Sequence, residues 1–369
     1  MATDYLKNFH VVSFQKNLLS WYDRHKRDLP WRHSRDPYAI WLSEVMLQQT
    51  QVKTVIPYYN NWLQKFPGMK QLADADLNSV LKSWEGLGYY SRARQFHKAI
   101  CHVHHELQSE VPDDYDVFLE LPGVGEYTAA AVQSIAFGGA YAVVDGNVKR
   151  VLARLFEIDL PVNVANAKKT FQQIATELLH TQRSGDYNQA LMELGATICK
   201  PRSPLCKECP VADLCAVQLN SNQHEYPKRK KRKPVPVYRM ATGVVYRNDR
   251  VLITRRPEDG LLGGLWEFPG RNVEAAETSS ADCKVAIKDA VNLEVEVGER
   301  IASVKHAYSH FKVEMDVYNC TYIAGAVELS KAVDFKWVSK EELAEYPFPG
   351  VNNKFLPLVI GSSGKKEEL

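Results

Sequence analysis

The chain has 369 residues, 45% hydrophobic and 24% charged, and its 46 Lys and Arg against 44 Asp and Glu leave a formal net charge of +2. That length predicts two domains, and that composition supplies apolar mass for a core in each, which excludes a disordered or fibrous chain. So small a net charge permits a nucleic-acid partner without arguing for one.

Met1–His10 mixes acidic and basic residues around no apolar core, so it does not read as a signal peptide. The first ~215 residues carry apolar side chains at three- and four-residue spacing and predict helices. Asp36-Pro37 predicts an N-cap and first helical position opening Tyr38–Gln48. On that helix Glu44 lies between Ile40 and Leu47, with Trp41, Leu42 and Val45 on neighbouring faces. An acid on a mostly buried helix is either a salt-bridged structural group or a carboxyl that keeps its proton near neutrality.

Leu121-Pro122-Gly123-Val124-Gly125 predicts a tight turn before an Ala-rich helix. Two glycines one residue apart mark a plain turn, or backbone N–H groups free to approach a phosphate at a helix start. The longest uncharged stretch, Tyr127–Val144, carries Gln133 and Ser134 and fits a buried helix followed by a strand or loop better than a membrane span. After it comes Val144-Asp145-Gly146-Asn147-Val148, an acid beside a glycine.

Seven cysteines without an export signal point to a reducing compartment. Cys199, Cys206, Cys209 and Cys215 follow the spacing C-x6-C-x2-C-x5-C. Four thiolates that close suit a tetrahedral zinc or an iron–sulfur cubane, and the spacing alone leaves both open. Cys101, Cys283 and Cys320 read as ordinary core or surface residues. Lys228–Lys233, bracketed by Pro227, Pro234 and Pro236, is an unbroken basic run. It reads as an extended linker, with phosphate contact or a targeting role as the alternatives. Beyond it the period becomes two: Phe311, Val313, Met315 and Val317 share one face, and Met240–Tyr246 and Val251–Thr254 are strand-like around an Asn248-Asp249 turn. Ser339 and Glu342 predict a capping box for a short helix.

Hairpin, Asp145 and cysteine loop, in that order, resemble the endonuclease III-type helix-hairpin-helix DNA glycosylases throughout 28–215. Within that superfamily Ser43–Thr50, Trp84–Arg92 and Leu29–Arg32 resemble the adenine DNA glycosylase family. The resemblance implies a multi-domain α and α+β architecture: a helical glycosylase domain over 1–225, a basic linker over 226–237, a Nudix-like domain over 238–362 and a tail over 363–369. It implies a [4Fe–4S] cluster on Cys199, Cys206, Cys209 and Cys215, and an enzyme that removes adenine mispaired with 8-oxoguanine or guanine from duplex DNA. By the same resemblance Glu44 protonates adenine at N7, Asp145 stabilises the sugar cation, and Tyr127 and Asn147 orient the site. Trp31 and Arg32 are expected in the adenine pocket, Gln49, Thr50, Leu87, Tyr89 and Gln189 among the residues that bind substrate or DNA, and Gly123 and Gly125 on its backbone. A monomer without a membrane partner is expected, cytoplasmic or, in a nucleated cell, nuclear.

Tyr127 stands where lyase-competent relatives carry a Schiff-base lysine, which implies glycosylase activity alone. Gly263–Gly270 resembles the approach to a Nudix box, but Val285–Leu293 keeps only Asp289 of its acidic residues, which opposes a magnesium site. The domain is therefore expected to recognise 8-oxoguanine without hydrolysis, through His306–His310 and Ser309 in particular. Three rivals stand beside this reading: an endonuclease III-like lyase, a Nudix hydrolase fused to a DNA-binding module, and an inactive DNA-binding protein.

Overall fold

The structure is a computed structural model that describes residues 5–231, 234–274 and 278–361. Its contacts divide the chain into two compact units, 1–73 with 98–232 and 74–97 with 233–369.

The first unit is helical, as its three- and four-residue periodicity predicts. Its main core joins Phe14 and Leu18 of the helix Val11–His25 to Leu152 of Gly146–Leu155, Phe171 and Leu178 of Ala167–Leu178, and Tyr187, Leu191 and Leu194 of Ser184–Thr197. The helix Pro37–Leu47 begins at the expected cap, with the Asp36 side chain accepting the Tyr38 N–H. Every residue from Tyr38 to Met46 on it is buried, so it has no solvent face on which a charge could sit freely. The hairpin comprises the helix Tyr115–Leu119, the glycine turn and the helix Glu126–Ala136. Gly123 takes φ +74°, a left-handed conformation that a side chain would strain. After Ala136 the chain runs irregularly to Asp145, choosing the loop of the two expected continuations.

The second unit is an α+β fold. Its strands are β1 (Val237–Arg247), β2 (Arg250–Arg255), β3 (Trp266–Glu267), β4 (Gly270–Val273), β5 (Glu294–Ala307), β6 (Lys312–Ala324) and β7 (Asp334–Val338). They form one sheet in the order β3-β2-β1-β6-β5, with β4 also on β1 and β7 also on β2. β1 and β6 run parallel and the other pairs antiparallel. Alternation along β1 splits the core in two. Val244 packs with Phe348 and Phe355, while Ala241 and Val245 pack with Cys283, Ala286 and Ile287 of the helix Ser280–Val291. In that second layer the Cys283 and Cys320 sulfurs lie 3.8 Å apart, so these two thiols are neighbours in the core. Asn248 turns with φ +55° between β1 and β2 as expected. The Ser339–Glu342 box is present and opens a 3-10 turn, Glu342–Glu345.

Residues 74–97 belong with this unit although they precede it by well over a hundred positions. Trp266 Nε1 donates to Asn78 Oδ1 (3.2 Å), Tyr90 donates to the Phe348 carbonyl (3.2 Å), and Glu85 Oε1 accepts from Phe348 N–H (2.9 Å) and Asn353 Nδ2 (3.0 Å). Among the described residues no helix is long and apolar enough to cross a membrane.

Candidate active site

A cavity of about 150 Å³ in the first unit gathers Trp31, Arg32, Glu44, Thr50, Tyr127, Asp145, Asn147 and Gln189 from six separate segments. The helix Pro37–Leu47 presents Glu44, 4% exposed, and the hairpin's second helix presents Tyr127, whose hydroxyl donates to Glu44 Oε2 at 2.7 Å. Burial raises the Glu44 carboxyl to about 7. The Tyr127 hydrogen bond opposes the rise, the Asp145 charge adds to it and Arg32 opposes it. Burial, then the charges of Glu44 and Asp145, hold the Tyr127 phenol well above its ordinary range, so it stays a donor.

Asp145 caps the helix Gly146–Leu155, its Oδ1 accepting Val148 N–H (2.7 Å) and its Oδ2 accepting Asn147 Nδ2 (2.8 Å). Burial raises its carboxyl, and those two donors with Arg150 counter the rise. Two carboxyls thus share one cavity, one accepting from the Tyr127 hydroxyl and the other with a cap built around its anion. Surroundings that differ in this way push two carboxyls toward different protonation states. Gly195 allows the approach, since a Cβ there would lie 2.6 Å from Asn147 Cβ.

Among the lining residues, Arg27, Met192 and Glu193 escape sequence reasoning. Glu193, 1% exposed, accepts from Arg27 Nε (2.7 Å) and Nη2 (2.8 Å) and from Arg32 Nη2 (2.9 Å). Burial alone would raise its carboxyl, but the two guanidiniums outweigh that and bring it down to about 2. Arg32 Nε then donates to Gln189 Oε1 at 3.2 Å, which fixes the amide that faces the cavity. Met192 completes this wall beside Tyr127. The available signal was helical spacing, because Gln189, Met192 and Glu193 are one turn apart on Ser184–Thr197.

Gln49 follows the helix with φ +57° and is exposed, and Gly123 and Gly125 are exposed at the hairpin turn. Leu87, Tyr89 and Ser309 lie in the second unit and line a different cavity, of about 430 Å³. There Tyr89, at φ +50°, is hydrogen-bonded through its hydroxyl to Ser309 Oγ. Arg92, over the Trp84 and Tyr89 rings, donates to the carbonyls of Leu87 and Gly88 and braces this turn. Tyr308 stacks on Phe311 with centroids 4.7 Å apart, which holds the Ser309 loop. Asp289 is ion-paired with Arg271, and no group of His, Cys, Asp and Glu among the described residues converges as a single metal ion would require.

Cys199, Cys206, Cys209 and Cys215 line one apolar-walled cavity with Val151, Leu155 and Leu194. Four thiols around one apolar space suit a cubane, in which each thiolate takes its own iron. Arg154 Nη1 lies 3.3 Å from Cys199 Sγ and offers positive charge to such a cluster. The bound cluster would supply four iron–thiolate bonds that pin an otherwise irregular loop.

Comparison with known proteins agrees with this geometry. Residues 42–178 match the HhH-GPD superfamily of base excision DNA repair proteins, 199–215 the iron-sulfur binding domain of endonuclease III, and 241–358 the NUDIX domain. The chain is 36% identical to the Homo sapiens adenine DNA glycosylase, over 90% of this chain and 71% of that one. It is 38% identical to the Mus musculus adenine DNA glycosylase, over 84% of this chain and 70% of the relative. A solved thermostable thymine-DNA glycosylase superposes with a TM-score of 0.53 at 32% identity, covering 57% of this chain and 97% of its own. Identity of that order along most of its length, with the [4Fe–4S] loop and the Nudix-type sheet both in place, makes the chain a DNA N-glycosylase of the adenine DNA glycosylase family.

Proposed function

We propose that this protein removes adenine paired with 8-oxoguanine, and less readily with guanine, from duplex DNA, by flipping the adenosine into the Glu44 cavity and hydrolysing its glycosidic bond. The observation that carries the reading is the Glu44 carboxyl, buried and raised to about 7, touching Tyr127 and sharing its cavity with Asp145. Adenine leaves poorly unless a ring nitrogen is protonated. Glu44 gives its proton to N7 as the bond breaks, and afterwards takes one from the attacking water. The sugar left behind gains cationic character, and Asp145, its anion favoured by Val148 N–H and Asn147 Nδ2, stabilises it. Extrusion precedes chemistry, because a stacked base is out of reach. Trp31, Arg32 and Gln189 frame the base, Gln49, Thr50 and Leu87 contact the opened duplex, and Gly123 and Gly125 approach a phosphate. No lysine is among the residues lining the cavity, which supports a glycosylase without lyase activity.

In the second unit Ser309 reads the opposing base. 8-Oxoguanine differs from guanine by a C8 carbonyl and an N7–H. A hydroxyl that accepts from Tyr89 still has its own hydrogen for O8, and one that donates to Tyr89 still has a lone pair for N7–H. The test is single-turnover cleavage of duplexes carrying adenine opposite 8-oxoguanine, guanine or cytosine, with borohydride added to abasic DNA in parallel. Release that is fastest opposite 8-oxoguanine, without covalent trapping, is expected. Equal rates opposite all three bases, or a trapped adduct, would reject the corresponding part of the proposal.

A further inference from the structure

The basic run after Pro227 has no part in either cavity, yet its backbone is held. Val162 N–H donates to the Lys228 carbonyl (3.1 Å), Lys230 N–H donates to Asn163 Oδ1 (2.9 Å), and Asn163 Nδ2 donates to the Lys230 carbonyl (2.9 Å). One asparagine side chain therefore serves Lys230 as a neighbouring strand would. Just upstream the Tyr226 carbonyl accepts from Arg154 Nε (3.0 Å), and the same guanidinium donates to the carbonyls of Lys200 (2.7 Å) and Pro201 (3.2 Å). Arg154, 3% exposed, ties the root of the run to the cysteine loop.

The charges so arranged are open. Lys228 pairs with Glu225, whereas Arg229, Lys230 and Lys231 are exposed and make no ion pair among the described residues. The same holds for Lys200 and Arg202 on the cysteine loop. The nearby acids are engaged elsewhere, Glu157 with Asn220 and Asn222 and Asp159 with Tyr226. A tether needs none of these backbone bonds. The bonds at Lys228 and again at Lys230 follow the every-other-residue pattern of an extended chain, whose side chains two apart lie about 6.6 Å from each other, a step close to that between successive phosphates of one DNA strand. A backbone ordered beforehand leaves only side chains to be immobilised on binding.

We infer that Arg229, Lys230 and Lys231 form a phosphate-binding segment that grips the DNA backbone outside the flipped nucleotide. The inference rests on the DNA substrate proposed above and adds to it a contact independent of the base. Its test replaces Arg229, Lys230 and Lys231 together by Gln, and measures affinity across a salt series for a duplex with a non-cleavable adenosine analogue opposite 8-oxoguanine. Each lost phosphate contact flattens the slope of log K against log salt by about 0.9, so the loss of three should make it shallower by about 2.7. Single-turnover excision at saturating enzyme should stay at the parent rate. A Lys284→Gln, Lys331→Gln control removes charge from the other unit and should leave the slope nearly as it was. Asn163→Ala, which keeps every charge but frees the segment, should weaken binding several-fold. An unchanged slope in the triple variant, an equal loss in the control, or parental affinity in Asn163→Ala would overturn the inference. Failure of the parent to release adenine would instead count against the proposed function.

Discussion

Glu44 and Asp145 differ less in residue type than in surroundings, and the difference is measurable. Glu44→Gln and Asp145→Asn should each slow single-turnover excision by at least the ~10²–10⁴-fold assigned to a positioned acid or base, while affinity for an uncleavable duplex persists. In the proposed role Glu44 acts in its protonated form, and with its carboxyl at about 7 the rate should fall as pH rises through that value. The Tyr127 bond lowers the Glu44 carboxyl, so Tyr127→Phe should move this alkaline limb to higher pH. A limb that stays put or moves down in the pH–rate profile would show that Tyr127 does not tune the acid. At this scale the sequence was readable where a side chain's environment is local. The apolar neighbours of Glu44 along one helix already announced its burial. Glu193 gave no such sign, because Arg27 and Arg32 reach it from more than 160 positions away. Its carboxyl is down near 2, so the stability it lends is present above the ordinary carboxylate range and fades as pH falls toward 2. Glu193→Leu leaves two guanidiniums without their shared anion and should cost about 3 kcal/mol in denaturant unfolding at neutral pH.

Elements of this chain are coupled by backbone carbonyls as much as by packing. Arg150 on Gly146–Leu155 donates from Nε to the Cys199 carbonyl (2.7 Å) and from Nη2 to Asn147 Oδ1 (2.9 Å) and the Gly195 carbonyl (2.7 Å). The cysteine loop, the helix bearing Gly195 and the Asp145 cap thus meet on one guanidinium. Arg150→Gln should lower single-turnover excision about tenfold with little loss of duplex affinity, a split that stopped-flow and binding measurements separate. The purified protein should be yellow-brown with about four irons per chain, and elemental analysis returning one zinc would remove the cluster. Gly123→Ala forces a side chain into left-handed backbone at roughly 1–2 kcal/mol, and should weaken duplex binding more than it slows excision of bound adenine. Helices, hairpin turn and alternating strands were legible because each follows from periodicity or turn chemistry within a short window. The parallel pairing of β1 with β6 and the anchoring of the basic run by Asn163 were not, since their partners lie far off in sequence and no turn joins them.

For the whole molecule, the basic run marks a change of composition, but no local feature announced that 74–97 belongs with the residues beyond it. A chain ending near residue 226 keeps Glu44, Tyr127, Asp145 and all four clustered cysteines. It loses every partner that Asn78, Glu85 and Tyr90 find after residue 233. Such a truncation should still release adenine at low temperature, melt several degrees below the full chain, and excise at similar rates opposite 8-oxoguanine and guanine. Ser309→Ala in the full chain should lower that preference modestly, by about 0.5–1.5 kcal/mol or several-fold, because one hydrogen bond is removed.

Tyr89 and Ser309 touch within one compact body although 220 positions separate them in the chain. A chimera that exchanges only the residues after 233 would set a foreign sheet against the native 77–90 turn, so a transplant that preserves recognition has to carry both stretches. Divergent homologues should accordingly change Asn78 together with Trp266, and Glu85 together with Asn353, as linked pairs.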